Sequence, residues 1–330
     1  MEMERLEATS VSSRPLPSDG ELIERYIKHY RRRGSPKSSW QNYESRLRII
    51  SRFLSGIGSS LISAGKRELE ALLDYLKEQR RNRYGEPLSD KNVNNYYTAL
   101  SSFYNFLIWE DLMQTNLVPA FKKRYLNTYK KRVEPKGRRL ISVEEASLLI
   151  NGTLDLQEKT IMTVLAKTGI RKGELISMDV GDIDWRLGGI ELKSKRKRSN
   201  SKVPFDEETA VLLGRWLRVR ADYAADGEAA LFIGDRGRRM GRNTVYGVVA
   251  GNAERVGLSN PSSPRLEDHF GPHCFRHFAT TELRRAGMRR EFLKELRGDS
   301  RREAVDVYDH IPFSELRGEY LRFVPRLGIL

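Results

Sequence analysis

His273-Cys274-Phe275-Arg276-His277, continued downstream to Val307-Tyr308-Asp309-His310, is the stretch that decides how this chain folds and acts. Upstream stands Thr168-Gly169-Ile170-Arg171-Lys172-Gly173-Glu174-Leu175. Two arginines, a histidine and a late tyrosine form a set suited to a phosphate, with a nucleophile of its own. The reason is charge. When a phosphodiester is attacked in line, its non-bridging oxygens gain negative charge, and guanidinium forks match them in geometry and sign. A tyrosine hydroxyl ordinarily ionises near pH ~10, so its surroundings must favour the anion before it can attack. The leaving 5′-oxygen needs a proton, which a lysine or histidine can give.

Composition agrees with a polyanionic partner. The 330 residues are enough for two domains of ordinary size, and 39% hydrophobic with 31% charged residues describes a soluble globular chain. Lys plus Arg is 59 and Asp plus Glu is 44, which leaves a net charge of +15. Such an excess favours phosphate contacts and counterion release on nucleic acid. Cys274 is the single cysteine, so no intrachain disulfide can form, which fits a reducing compartment. No signal peptide and no apolar run long enough for a membrane span is read, and the expected location is the cytoplasm.

Residues 1–17 read as a flexible tail. A small helical domain is expected over 18–127. Its apolar stripes are Leu22, Ile23, Tyr26, Ile27 and Tyr30; Trp40, Tyr43, Leu47, Ile50 and Leu54; Leu69, Leu72, Leu73 and Leu76; and Val93, Tyr96, Leu100, Phe103 and Leu107, with Ser89 capping the last helix. These stripes are read as core. A basic linker follows at 128–139, and a second domain runs over 140–330, with a C-terminal tail from about 311. Ser142-Val143-Glu144-Glu145 resembles a capping box, and an amphipathic helix is expected over Gln157 to Lys167. Gly189 to Leu192 and Lys202 to Phe205 predict a β-hairpin around a basic turn, Ala229 to Ile233 a short strand, and Asp206 to Tyr223 and Asn243 to Arg255 two helices.

In the order and spacing of these pieces the chain resembles the tyrosine recombinases of the phage-integrase and Xer type, over most of its length. The resemblance implies a mainly α protein: a helical SAM-like core-binding domain, then a mixed α+β catalytic domain with a small β-sheet. It implies cleavage and rejoining of double-stranded DNA through a 3′-phosphotyrosine, with no metal and no other cofactor. It places catalytic roles on Arg171, His273, Arg276 and the nucleophile Tyr308, with Glu174 supporting Arg171. A lysine on the hairpin turn would protonate the leaving group. Lys195 fits best by its distance from Arg171, with Lys193 and Lys197 as rivals. A monomer in solution and a ring of four on paired DNA sites are implied, with the C-terminal segment packed on a neighbouring subunit in the DNA-bound state; the alternative is that it folds back on its own catalytic domain.

One element departs. The family carries a second histidine, or a tryptophan, in a Leu-Gly-His turn before the tyrosine, whereas this chain has Leu296-Arg297-Gly298-Asp299. An ionised Asp299 would repel a phosphate unless it faces away or pairs with Arg297. Either the ring is dispensable, the favoured reading, or His310 or His277 stands in, or the protein is an impaired relative that binds without cutting. A type IB topoisomerase shares the chemistry and is the other enzyme reading. His273 and His277, four apart, could hold a metal, but no HExxH motif or second ligand cluster supports one. Cys274 reads as a small buried residue, and Lys172-Gly173 completes no Walker motif.

Phosphate contacts are expected from Arg80, Arg81 and Arg83, from Lys130, Lys131, Arg132, Arg138 and Arg139 in the linker, and from Arg196 and Lys197 in the hairpin turn. Base reading is expected from two helix starts, one carrying Lys91, Asn92, Asn94 and Asn95, the other Arg242 and Asn243. Residues of these types at helix starts also serve as caps and surface groups.

Overall fold

The computed structural model describes residues 17–126, 140–193, 200–299 and 311–329. The chain divides into two compact units, Met1–Pro135 and Lys136–Leu330. The division falls in the stretch read as a linker, 128–139, which lies outside the described residues.

The first unit is helical. Helix α1 (Asp19–Arg32) starts at a capping box: Glu21 N donates to Ser18 Oγ and Ser18 N to the Glu21 carboxylate. It buries Leu22, Ile23, Tyr26 and Ile27, as the periodicity predicts. In α2 (Lys37–Gly56) Leu47, Ile50 and Leu54 are buried, whereas Trp40 and Tyr43 are only partly covered. Trp40 instead carries the Arg31 guanidinium 4.2 Å from its ring centre. Helix α3 (Lys66–Asp74) runs on into a π-helical turn, Tyr75–Gln79, and Ser89 caps α4 (Asp90–Trp109). A fifth helix, α5 (Val118–Tyr125), stacks Phe121 on Tyr97 of α4 at 5.1 Å. The sequence reading missed α5, because two buried residues, Val118 and Phe121, do not make a period.

The second unit opens with α6 (Val143–Asn151), whose Ser142/Glu145 capping box forms as read. Helix α7 (Leu156–Thr168) lies at the centre, between α9 (Glu207–Arg220) and α11 (Pro272–Ala286). The amphipathic pattern expected for it is wrong. Every residue from Thr160 to Thr168 is buried. Its threonines can face apolar neighbours because their hydroxyls donate to carbonyls one turn back, Thr160 to Leu156 and Thr163 to Lys159. Lys167 is fully buried and donates to the carboxylates of Asp206 and Glu208 and to the Pro325 carbonyl.

The sheet is small and antiparallel, in the order β1 (Ile183–Asp184), β2 (Gly189–Glu191), β3 (Lys202–Pro204). The hairpin forms as expected, in the register Ile190 to Val203. Strand β1, of two residues, was not foreseen. Ala229 to Ile233 is not a strand. Its backbone is shared among different partners, with Leu231 N on Met178 O and Ile233 N on the Gln157 side chain, and only isolated bridges result.

Helix α8 (Lys172–Ser177) follows α7, and α10 (Arg242–Arg255) packs on α8, α7 and α11. Helix α12 (Arg290–Arg297) packs on α11. The last described helix, α13 (Phe313–Phe323), lies on β3 and α12. Its Phe313 sits so close to β2 that a Cβ at Gly189 would come within 2.5 Å of the ring. Beyond α13 the chain folds back on its own unit. Leu327 N and Ile329 N donate to the Glu208 carboxylate, Ser147 and Asn151 donate to the Leu327 carbonyl, and Leu327 and Ile329 are buried. The chain by itself therefore adopts the alternative to packing on a neighbour.

Candidate active site

Arg171 is the residue before α8. Its backbone N–H donates to Glu174 Oε2 at 2.7 Å and its Nη1 to Glu174 Oε1 at 3.1 Å. Glu174 is buried, so one carboxylate fixes both the helix start and the guanidinium. Arg276 projects from α11 and is 5% exposed. Its Nη1 donates to the Gly169 carbonyl, at the end of α7, at 2.8 Å, and its Nη2 to the Arg297 carbonyl at 3.0 Å. Arg171 Nη1 lies 3.4 Å from the same Arg297 carbonyl. Both arginines are thus anchored on helix C-termini, where carbonyls lack intrahelical partners and the dipole is negative.

Gly298 makes this arrangement. It ends α12 in the left-handed region, with φ 58°, which glycine adopts at no steric cost. Gly298 N then returns to Glu295 O, and Asp299 N to Lys294 O. That turn presents the Arg297 carbonyl and the Asp299 side chain together. Asp299 Oδ1 lies 3.4 Å from Arg276 Nη2 and 3.6 Å from Arg171 Nη2, while Oδ2 lies 2.9 Å from Arg297 Nε. Asp299 therefore pairs with Arg297, as one reading of the sequence required, but it does not face away from the site. Burial pushes Arg276 down to about 10, helped by the charges of Arg171 and Arg297 and opposed by Asp299 and Glu174. At neutral pH it stays a cation.

His273 and His277 stand one turn apart on the exposed side of α11, their rings edge to face at 4.7 Å. Among the described residues no group of three or more side chains could hold a metal. Cys274 is buried. Lys193, a rival for the hairpin lysine, is engaged by the Asp179 carboxylate, which also takes Arg239. Burial raises the Asp179 carboxyl, but the two cations outweigh it and hold the group below its usual range. Tyr308, Lys195, Arg196, Lys197, His310, Lys130, Lys131, Arg132, Arg138 and Arg139 lie outside the described residues.

In the first unit Arg81 and Arg83 are exposed on a turn closed by an Arg81–Pro87 bridge, with Arg80 half-buried beside them. Lys91 and Asn92 are exposed on the first turn of α4, and Asn94 and Asn95 half-buried. In the second unit Arg242 and Asn243 are exposed at the start of α10. Next to them is a feature the motifs did not flag. Lys172 Nζ stands 5.7 Å over the Tyr246 ring, and burial, then the Arg242 charge, push its ammonium down. Arg297 was likewise not read as a site residue, although its place in the Leu296 to Asp299 turn was a signal.

Both units of the chain match known proteins. The model of the phage integrase family matches residues 138–315, and that of the phage integrase N-terminal SAM-like domain matches residues 23–111. Tyrosine recombinase XerC of Vibrio parahaemolyticus is 27% identical, over 96% of this chain and 97% of its own. XerC of Herpetosiphon aurantiacus is 28% identical over 74% of each. In fold, the chain is similar to the Tn1549 transposon integrase in complex with transposon right end DNA, with TM-score 0.66, 22% identity and coverage of 91% and 98%. It is also similar to a lambda integrase tetramer bound to a Holliday junction, with TM-score 0.64, 19% identity and coverage of 93% and 82%. From its sequence match in both units, the chain belongs to the phage integrase family and is a tyrosine recombinase, an enzyme that cuts and rejoins DNA.

Proposed function

We propose that Tyr308 is the nucleophile of a site-specific recombinase whose phosphate seat is formed by Arg171 and Arg276. The observation that carries this reading is the convergence of both guanidiniums on one anion position, now taken by Asp299 Oδ1. In the first step the Tyr308 oxygen attacks a DNA phosphorus. A phosphotyrosine bond forms at the 3′ end, and the bond to the 5′-oxygen breaks. Arg171, Arg276 and His273 hold the charge that builds on the non-bridging oxygens. Lys195 gives the 5′-oxygen its proton; Lys193, held by Asp179, is the weaker candidate for that role. In the second step a 5′-hydroxyl of the partner duplex loses its proton, attacks the same phosphorus and releases Tyr308.

The exposed residues at the starts of α4 and α10 would face the duplex. We infer four copies on paired sites, in line with the lambda integrase tetramer, and a monomer free in solution. Among the described residues no helix is long and apolar enough to cross a membrane, and the cytoplasm is the proposed location. Topoisomerase-like relaxation is not favoured, since the match to XerC runs through both units. The test is covalent trapping on nicked duplexes taken from the flanks of the encoding gene. Wild type is expected to give a slow band on denaturing gels, and Tyr308→Phe none. Retention of that band in Tyr308→Phe would overturn the assignment.

A further inference from the structure

We propose that Asp299 is a resident anion occupying the phosphate seat, which a DNA phosphate must displace towards Arg297 before a strand is cut. This rests on the reading of Arg171 and Arg276 as the seat. The hydrogen bonds of the two arginines show why the position is an anion position. Arg276 Nη1 is committed to Gly169 O, and Arg171 Nη1 to Glu174 and the Arg297 carbonyl. Arg276 Nη2, which also donates to the Arg297 carbonyl at 3.0 Å, and Arg171 Nη2 lie 3.4 and 3.6 Å from Asp299 Oδ1. A non-bridging phosphate oxygen needs those same donors. Carboxylate and phosphate cannot share them, because two like charges that close repel even in a polar medium.

The carboxylate also has somewhere to go. Arg297 Nε lies 2.9 Å from Oδ2, so that ion pair can keep the charge compensated as Oδ1 swings off the seat. Side-chain exposure of 37% means that packing does not lock Asp299 in place. A histidine or tryptophan at this turn would present no negative charge to the seat. Asp299 therefore sets a threshold. A small free anion brings too little binding to displace it, whereas a phosphate held in a duplex brings all its other contacts. The residue selects for a bound duplex over loose anions.

The test uses the full chain and inorganic phosphate as probe, read as the concentration giving half the maximal thermal stabilisation. Asp299→Asn is expected to lower that concentration about tenfold, the size of one unit charge removed at this separation when its 37% exposure leaves it screened nearly as in water. Asp299→His, which supplies the family's ring, should move it the same way and serves if the asparagine variant does not fold. An unchanged or raised concentration in both would overturn the proposal and make Asp299 a brace for the arginines. In the Asp299→Asn background Arg276→Gln should abolish the phosphate response; a surviving response would put phosphate elsewhere and also overturn the proposal. The reading of the arginines as the seat is checked separately by trapping. If Arg276→Gln alone still forms the Tyr308 band at the wild-type rate, that reading fails, whatever phosphate does.

Discussion

Lys167 and Arg276 are both buried cations of the second unit, and they are satisfied in opposite ways. Lys167 meets two carboxylates, Asp206 and Glu208, and a carbonyl, in a cluster with excess negative charge and no exposure at the ammonium. Arg276 shares its surroundings with Arg171 and Arg297, against Asp299 and Glu174, so positive charge is in excess. The first arrangement is closed and joins α7, α9 and the C-terminal segment. The second stays accessible through Arg171, whose side chain is 35% exposed. A buried charge that only holds the fold is neutralised from within. One that must receive a charged substrate keeps an imbalance for the substrate to complete.

The comparison breaks most readily at Lys167. Lys167→Met strands two carboxylates against an apolar side chain and is expected to cost about 3–5 kcal/mol in urea unfolding. A loss under about 1 kcal/mol would show that the cluster is no more structural than the active site. Arg276→Lys should do the reverse. It keeps the charge but loses the fork, so covalent trapping should slow about 10²–10³-fold while the urea midpoint barely moves.

Acid probes the first cluster more gently. Burial raises the Glu208 carboxyl, but Lys167 and the amides of Leu327 and Ile329 outweigh it and hold the group below its usual 4.5. A depressed carboxyl contributes its full stability above about 4.5, and that contribution fades as pH falls through the lower folded value. Protection of the Leu327 and Ile329 amides, relative to their intrinsic exchange, should therefore fall in that acid window, ahead of the α7 core, and Glu208→Gln should flatten the dependence. The smallest effect is expected at Lys193. Its pair with Asp179 is 44% exposed on the lysine side, so Lys193→Ala should shift stability by under about 1 kcal/mol. It should leave trapping near wild type, whereas Lys195→Ala should reduce it strongly; the opposite result would exchange the two lysines.

Much of the fold was legible because it rests on local signals. Ser89 and Ser142 each announce a helix start, and the stripes of α1 and α4 are buried as their periods require, save Tyr30, which is partly covered. The periodicity failed at α7, where a helix enclosed on every side has no polar face to mark. It failed again at Ala229 to Ile233, where residues 230–233 are buried while their backbone bonds to side chains of α7 and α9 and in isolated bridges, and not in a sheet. The arginines and Glu174 were legible from motif spacing. The role of Asp299 was not, because its direction depends on a single left-handed residue, Gly298, and on a helix end that tertiary packing aims at Arg276. The pairing of Lys167 with residues about forty positions away left no local trace at all.

The Arg297 carbonyl takes donors from both Arg171 and Arg276, and the Gly169 carbonyl takes another from Arg276. These acceptors belong to the main chain, which every amino acid shares. Mutation at position 297 can therefore change the field around the two guanidiniums without unhooking either. Side chains 297 and 299 can thus change while the carbonyls that hold the two arginines stay in place.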